Sequence, residues 1–257
     1  RPPRSTLFPY TTLFRSCFYA DEMEHRSDNM CKKMSETTLE NVIRKSLEFA
    51  DGSCTFAFQG GEPTLAGLDF YQKLLEIEEK YNTKKVKIEH ALQTNGYALD
   101  DKWCHFFAEN NFLVGLSVDG IKATHDAFRK DASGNDTYYH VLEKAECLKK
   151  AGVQFKVLTV VNSKTAPKIR RIYEQYRKLG FCWQQYIACL DPIGKLQGEK
   201  EFSLTPELYG NFLIELFELW EIDLKQGKQP YIRQFENYIS ILLGYMPEAC
   251  EQRGICS

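Results

Sequence analysis

The chain has 257 residues, 43% of them hydrophobic and 26% charged, with a formal net charge of −2. That is enough to bury one large α/β core or two small ones, and no apolar run reaches the length of a membrane span. The basic runs Lys84-Lys85-Val86-Lys87 and Arg170-Arg171 are short and lack a stacking platform, so they read as solvated faces and exclude a nucleic-acid footprint. The nine cysteines are odd in number and irregularly spaced, without a secretory signal, which argues for a reducing cytoplasm over a disulfide framework.

Arg1–Ser16 repeats Thr-Leu-Phe at 6–8 and 12–14, has no acidic residue and shows neither strand nor helix periodicity. Cys17-Phe18-Tyr19 and a polar stretch to Met34 follow. A helix is expected over Glu36–Ala50, capped by Ser35, with Leu39, Val42, Ile43 and Leu47 spaced for one buried face. Strands are expected at Thr55–Phe58, Val86–Gln93, Leu113–Val118, Gln154–Val161 and Trp183–Ala188. Helices fall between them at Asp69–Tyr81, Asp100–Asn110, Tyr138–Ala151 and Pro167–Leu179, the last two stopped by Gly152 and Gly180. From about Gln197 the alternation ceases, and Thr205-Pro206 opens a helix to about Lys225. A final helix is expected over Ile232–Leu243, its aromatic and aliphatic spacing being that of packing rather than cofactor binding. Cys54, Cys104, Cys147 and Cys182 lie in or beside these elements and read as small buried hydrophobes, whereas Cys17, Cys250 and Cys256 have the loop context of ligands.

Strand–helix alternation implies a parallel sheet with right-handed crossovers, whose chemistry collects at the C-terminal strand ends. The polar signatures sit there: Gln59-Gly60-Gly61-Glu62, Gln93-Thr94-Asn95-Gly96, Ser117-Val118-Asp119-Gly120, Val161-Asn162 and Cys189-Leu190-Asp191-Pro192. The histidines His25, His90, His105, His125 and His140 are dispersed, so no zinc-hydrolase spacing is present. Walker, dinucleotide and Gly-x-Ser-x-Gly motifs are also missing from the sequence.

The run QGGEPTLAG at 59–67, with LQTNG, FLVGLSVDG and CLDP downstream, resembles the radical S-adenosylmethionine (SAM) enzymes in the form found in anaerobic sulfatase-maturating enzymes. Cys17-Phe18-Tyr19 is similar to the tail of that family's Cys-x3-Cys-x2-Cys cluster loop. Arg1–Ser16 resembles the translation of a sequencing-library adapter, so it is expected to be non-native and to stand off from the folded part. The resemblance implies α/β architecture: a partial (β/α)6 radical SAM barrel lacking its first strand, over 17–196. A helical linker and the start of an auxiliary-cluster (SPASM) domain are expected over 197–257, truncated like the N-terminus. Cofactors are then SAM and [4Fe-4S] clusters, one binding SAM and two auxiliary in the parent protein.

By the same resemblance Cys17 is a metal ligand of the first cluster, and Cys250 and Cys256 belong to the auxiliary site. Gly60, Gly61, Glu62, Ser117, Arg129 and Leu190 form the SAM site, and Tyr19 and Gln59 face the substrate. The implied reaction oxidises a cysteine or serine of a sulfatase, within Cys/Ser-x-Pro-x-Arg, to Cα-formylglycine. The adenosyl radical removes a Cβ hydrogen, a carboxylate takes the thiol or hydroxyl proton, and an auxiliary cluster receives the second electron. The electron donor would be a flavodoxin or ferredoxin. The matched pattern places the base beyond Ser257, so none is assigned, although Asp119 and Asp191 lie nearby. With one of three cluster thiolates in place the chain as it stands is expected to be inactive. Two alternatives stay open: another SPASM-type radical enzyme acting on a different peptide, and a non-catalytic α/β peptide-binding module.

Overall fold

The computed structural model describes residues 13–14, 33–192, 196–247 and 252–253. In chain order its elements are β1 (Leu13–Phe14), α1 (Glu36–Phe49), β2 (Ser53–Phe58), α2 (Leu68–Tyr81), β3 (Lys87–Thr94), α3 (Asp101–Glu109), β4 (Phe112–Ser117) and α4 (Lys122–Phe128). They continue as β5 (Arg129–Lys130), α5 (Tyr138–Lys150), β6 (Phe155–Val161), α6 (Ile169–Leu179), β7 (Trp183–Ala188), α7 (Pro206–Lys225), β8 (Tyr231–Ile232) and α8 (Arg233–Leu242). The chain divides into two compact units, Arg1–Leu116 with Arg129–Phe155, and Ser117–Phe128 with Lys156–Ser257.

In the first unit β2, β3 and β4 are parallel neighbours, with Phe58 opposite Leu92 and Thr94 opposite Leu116. Their C-terminal ends therefore lie side by side. Helix α1 begins where expected, the amide of Thr38 donating to Ser35 Oγ at 3.2 Å. Leu39, Ile43 and Leu47 are buried, but Val42 is 42% exposed, a correction to the expected face. The i, i+4, i+8 row is filled by the three buried residues, and Val42 falls beside that stripe rather than on it.

The core of this unit is aromatic. Tyr71 meets Phe58, Trp103 and Phe112 edge-on at centroid separations of 5.2, 5.5 and 6.1 Å. The buried rings of Tyr71, Trp103 and Phe112 each contribute about 1.5–3 kcal/mol through burial, with about 0.5–1.5 kcal/mol more from edge-on pairing. β1 pairs antiparallel with β5, Leu13 opposite Lys130 and Phe14 opposite Arg129. Two residues of the segment expected to stand off thus make backbone contact, a correction to that expectation.

In the second unit β6, β7 and β8 are parallel, with Val161 opposite Ala188 and Gln184 opposite Ile232. α6 ends at Gly180, whose φ of 67° is the left-handed cap expected there. α7 starts at Pro206, and Thr205 Oγ1 accepts from the amide of Leu208 at 3.2 Å. Trp220 donates from Nε1 to the carbonyl of Pro230 at 3.0 Å and packs on Phe235 at 5.1 Å, which fixes the turn between α7 and α8. The short elements α4, β5 and β8 are additions to the sequence reading. α4 has seven residues and no apolar stripe, and β5 and β8 have two residues each, too short to show a period. Among the described residues no helix is long and apolar enough to cross a membrane.

Candidate functional site

β2 ends at Phe58, and the chain turns through Gly60 at φ 99° and Gly61 at φ 57°. Both values lie in the region that favours glycine. Glu62 follows, only 7% exposed, and its carboxylate holds the loop. Oε1 accepts from the amide of Thr64 at 3.1 Å, from Thr64 Oγ1 at 2.7 Å and from Thr94 Oγ1 at 2.7 Å. Oε2 accepts from the amide of Asn95 at 2.8 Å. One side chain therefore ties the end of β2 to the end of β3, and hydrogen bonds to a charged acceptor are about twice as strong as neutral ones.

Two further contacts set the position of this loop. Tyr71, buried under it, donates to the carbonyl of Pro63 at 3.0 Å. Burial, with the Glu62 charge as a second cause, pushes the Tyr71 phenol well above its usual range, so it stays a donor. At Gly96, where β3 leaves the sheet, φ is +78° and an added Cβ would sit 2.5 Å from Leu116 Cδ1, so any other residue there is strained and must displace that side-chain end. Arg129, on β5 in the same unit, is 6% exposed and its carbonyl accepts from Thr137 Oγ1 at 3.2 Å. It is a buried arginine rather than a surface one.

The second unit builds its own polar loop. Ser117 is 8% exposed and Asp119 fully buried. The amide of Val118 donates to the Leu158 carbonyl at 3.0 Å, and Asp119 Oδ1 accepts from the amide of Val160 at 2.9 Å. Tyr176 donates to the Val118 carbonyl at 2.6 Å and accepts from the amide of Gly120 at 2.9 Å. Thr159 Oγ1 donates to the same Val118 carbonyl at 2.8 Å, and His125 Nδ1 accepts from the amide of Asp119 at 3.2 Å. Tyr176 and Thr159 were not among the residues singled out by sequence. They stand 58 and 41 positions from Val118, with no local pattern to flag them.

Asn162, at the end of β6, is fully buried, and its Oδ1 accepts from the amides of Lys164 and Thr165 at 2.9 and 3.0 Å. Leu190 is 70% exposed beyond β7. Asp191 accepts from Ser203 Oγ at 2.6 Å and from the Gly198 amide at 2.7 Å, so its carboxylate organises the loop that follows. Cys182 is exposed rather than buried, a correction; it lies just ahead of β7, outside the strand's packed face.

A SAM-sized ligand needs bare backbone to lie against, and Gly61 supplies it: a Cβ built there meets nothing within 4 Å. The loop thus has free space at Gly61 and is held by Glu62, which is compatible with the cofactor expected from the sequence. Among the described residues no group of three His, Cys, Asp or Glu side chains could hold a metal. The sequence-derived ligands Cys17, Cys250 and Cys256, together with Tyr19, lie outside the described residues.

A family model described as the radical SAM superfamily matches residues 15–175. The chain is 40% identical over 241 residues, 94% of its length, to a "cysteine-type anaerobic sulfatase-maturating enzyme" of Clostridium novyi, and spans 64% of that relative. It is 30% identical over 255 residues to a "serine-type anaerobic sulfatase-maturating enzyme" of Bacteroides thetaiotaomicron, covering 93% of this chain and 61% of that one. The solved structure described as "native anSMEcpe with bound AdoMet and Cp18Cys peptide" superposes with a TM-score of 0.89 at 40% identity, over 97% of this chain and 68% of that one. The α/β fold expected from the sequence is the fold of that structure.

Proposed function

Since the chain belongs to the radical SAM superfamily, we propose that its activity is the oxidation of a sulfatase cysteine to Cα-formylglycine. The observation that carries this reading is the difference in identity, 40% to a cysteine-type enzyme against 30% to a serine-type one. The family implies SAM and an iron–sulfur cluster, and when bound these supply one-electron chemistry able to take a hydrogen atom from a substrate carbon.

The residues of this chain bind and orient. Gly60 and Gly61 offer backbone groups to SAM, and Glu62 holds those peptides in place from behind. Ser117, Arg129 and Leu190 complete the cofactor contacts: a hydroxyl, a guanidinium matched to a carboxylate, and an apolar surface. Gln59 and Tyr19 face the reacting residue. Cys17 is a thiolate of the SAM-binding cluster, and Cys250 and Cys256 serve an auxiliary one. The substrate is a sulfatase segment carrying Cys-x-Pro-x-Arg, the electron donor is a flavodoxin or ferredoxin, and the work is done in the cytoplasm. No base is assigned, since the matched pattern places it beyond Ser257; Asp119 Oδ1 accepts from the Val160 amide of β6, and Asp191 from Ser203 and Gly198.

The test is a graft. Residues 17–257 of this chain replace the matched segment of the Clostridium novyi enzyme, and the product is given SAM, dithionite and a Cys-x-Pro-x-Arg peptide anaerobically. Conversion of the peptide to formylglycine with release of 5′-deoxyadenosine is expected, at least ten times faster than with the serine peptide. A graft that folds and binds SAM but leaves both peptides unchanged would overturn the reading.

A further inference from the structure

Two cysteines that the proposed chemistry does not use face each other in the first unit. Cys104 lies on α3 and Cys147 on α5, 43 positions apart in sequence, and their sulfurs are 2.6 Å apart. That is only about half an ångström longer than a disulfide bond. Cys104 is fully buried and Cys147 half-buried, so Cys147 is the more accessible of the two. Trp103 and Phe107 flank Cys104 on α3, and Leu148 flanks Cys147 on α5; all three are buried, which leaves neither helix free to draw its sulfur away.

We propose that Cys104 and Cys147 are a dithiol oxidised to a disulfide by peroxide, tying α3 to α5. Cys147 Sγ attacks one peroxide oxygen, the O–O bond breaks, and a sulfenic acid and one water result. Cys104 Sγ then attacks the sulfenic sulfur, the S–S bond forms, the S–O bond breaks and a second water leaves. Two thiols and one hydrogen peroxide thus become one disulfide and two waters. Cys147 goes first because it is the more accessible of the two. Burial and the neighbouring Cys147, Asp101 and Asp100 hold the Cys104 thiol well above its usual range. Cys147 also donates to Asp101 Oδ1 at 3.3 Å, which holds its sulfur on the α3 side beside Cys104. The stretch of sequence enclosed between the two cysteines includes Ser117 and Arg129, two residues of the proposed cofactor site.

The chain, reduced and freed of reductant, is treated with hydrogen peroxide in slight excess, quenched in acid, alkylated under denaturing conditions and mapped by mass spectrometry. A linked peptide pair containing Cys104 and Cys147 is expected as the first product, with loss of two alkylatable thiols and a rise in melting temperature of about 5 °C or more, reversed by dithiothreitol. C104S is expected to leave a sulfenic acid on Cys147 that dimedone traps. Should that variant fail to fold, the linked peptide in the unaltered chain decides alone. Alkylation of both cysteines after other thiols have oxidised, or sulfinic acid on Cys147 without linkage, would overturn the proposal.

Discussion

The loop after β2 and the loop after β4 are both polar turns at the ends of parallel strands, yet they are held by opposite means. In the first, the loop's own side chain does the holding: Glu62 accepts four hydrogen bonds, two from Thr64, one from Thr94 and one from the amide of Asn95. In the second, the loop contributes mostly backbone, and the holding groups come from β6, α4 and α6 as Thr159, His125 and Tyr176. A loop organised by its own residue announces itself as a motif. A loop organised by distant hydroxyls reads as an ordinary turn.

Substitution separates the two cases. Glu62→Ala should have the largest effect, since it strips the acceptor from four buried or half-buried donors at once, a loss of about 3–5 kcal/mol. Urea denaturation measures it, and a loss below about 1 kcal/mol would show that water replaces the carboxylate. Gly120→Ala comes next at about 2–4 kcal/mol, because it combines a positive φ with overpacking. Its φ is +81° and the new Cβ would lie 2.5 Å from Ile172 Cγ1. Gly61→Ala is the matched control: it has a positive φ but open space around it, and should cost about 1 kcal/mol in stability while weakening SAM binding far more. Equal stability losses for the two alanines would erase the distinction between a packed glycine and one kept for a ligand.

Tyr176→Phe should cost about 1–3 kcal/mol, since it leaves the Gly120 amide without its acceptor while Thr159 still serves the Val118 carbonyl. Hydrogen exchange at the Gly120 amide checks it, and unchanged protection there would remove Tyr176 from the account. The smallest effect is on pH. Asp131 accepts from the side chain and amide of Asn135 and from the amide of Ser133, which hold its carboxyl below the usual range. A depressed carboxylate adds stability that is present above its unfolded value and lost as pH falls through the folded one. Asp131→Asn should therefore flatten the acid limb of the stability curve slightly below about pH 4. An NMR titration of Asp131 at the ordinary aspartate value would contradict this.

Much of the molecule is legible in its sequence. Trp183–Ala188 was read to the residue, and Ser35, Thr205 and Gly180 cap their helices as expected, since a cap is a local bargain between a side chain and the next turn's amides. The Glu62 loop was equally legible, because two glycines and an acid between a strand and a helix admit few conformations. Val42 and Cys182 were misplaced because spacing specifies a direction on a helix or strand end without saying how wide the covering partner is. α4 and the two-residue strands escaped because a helix or strand so short has no period to detect.

By itself the sequence determined the alternation of strands and helices, the ends of most of them and the Gly-Gly-Glu-Pro loop, all of which follow from contacts between residues a few positions apart. Tertiary structure alone decided that Arg129 is buried, that Tyr176 and Thr159 grip the Val118 carbonyl, and that Cys104 meets Cys147 across two helices. The physical reason is the range of the interaction. Backbone dihedrals, caps and hydrophobic period are written within one turn of chain, whereas a buried hydroxyl or thiol finds its partner only after packing brings segments 40 to 60 residues apart into contact.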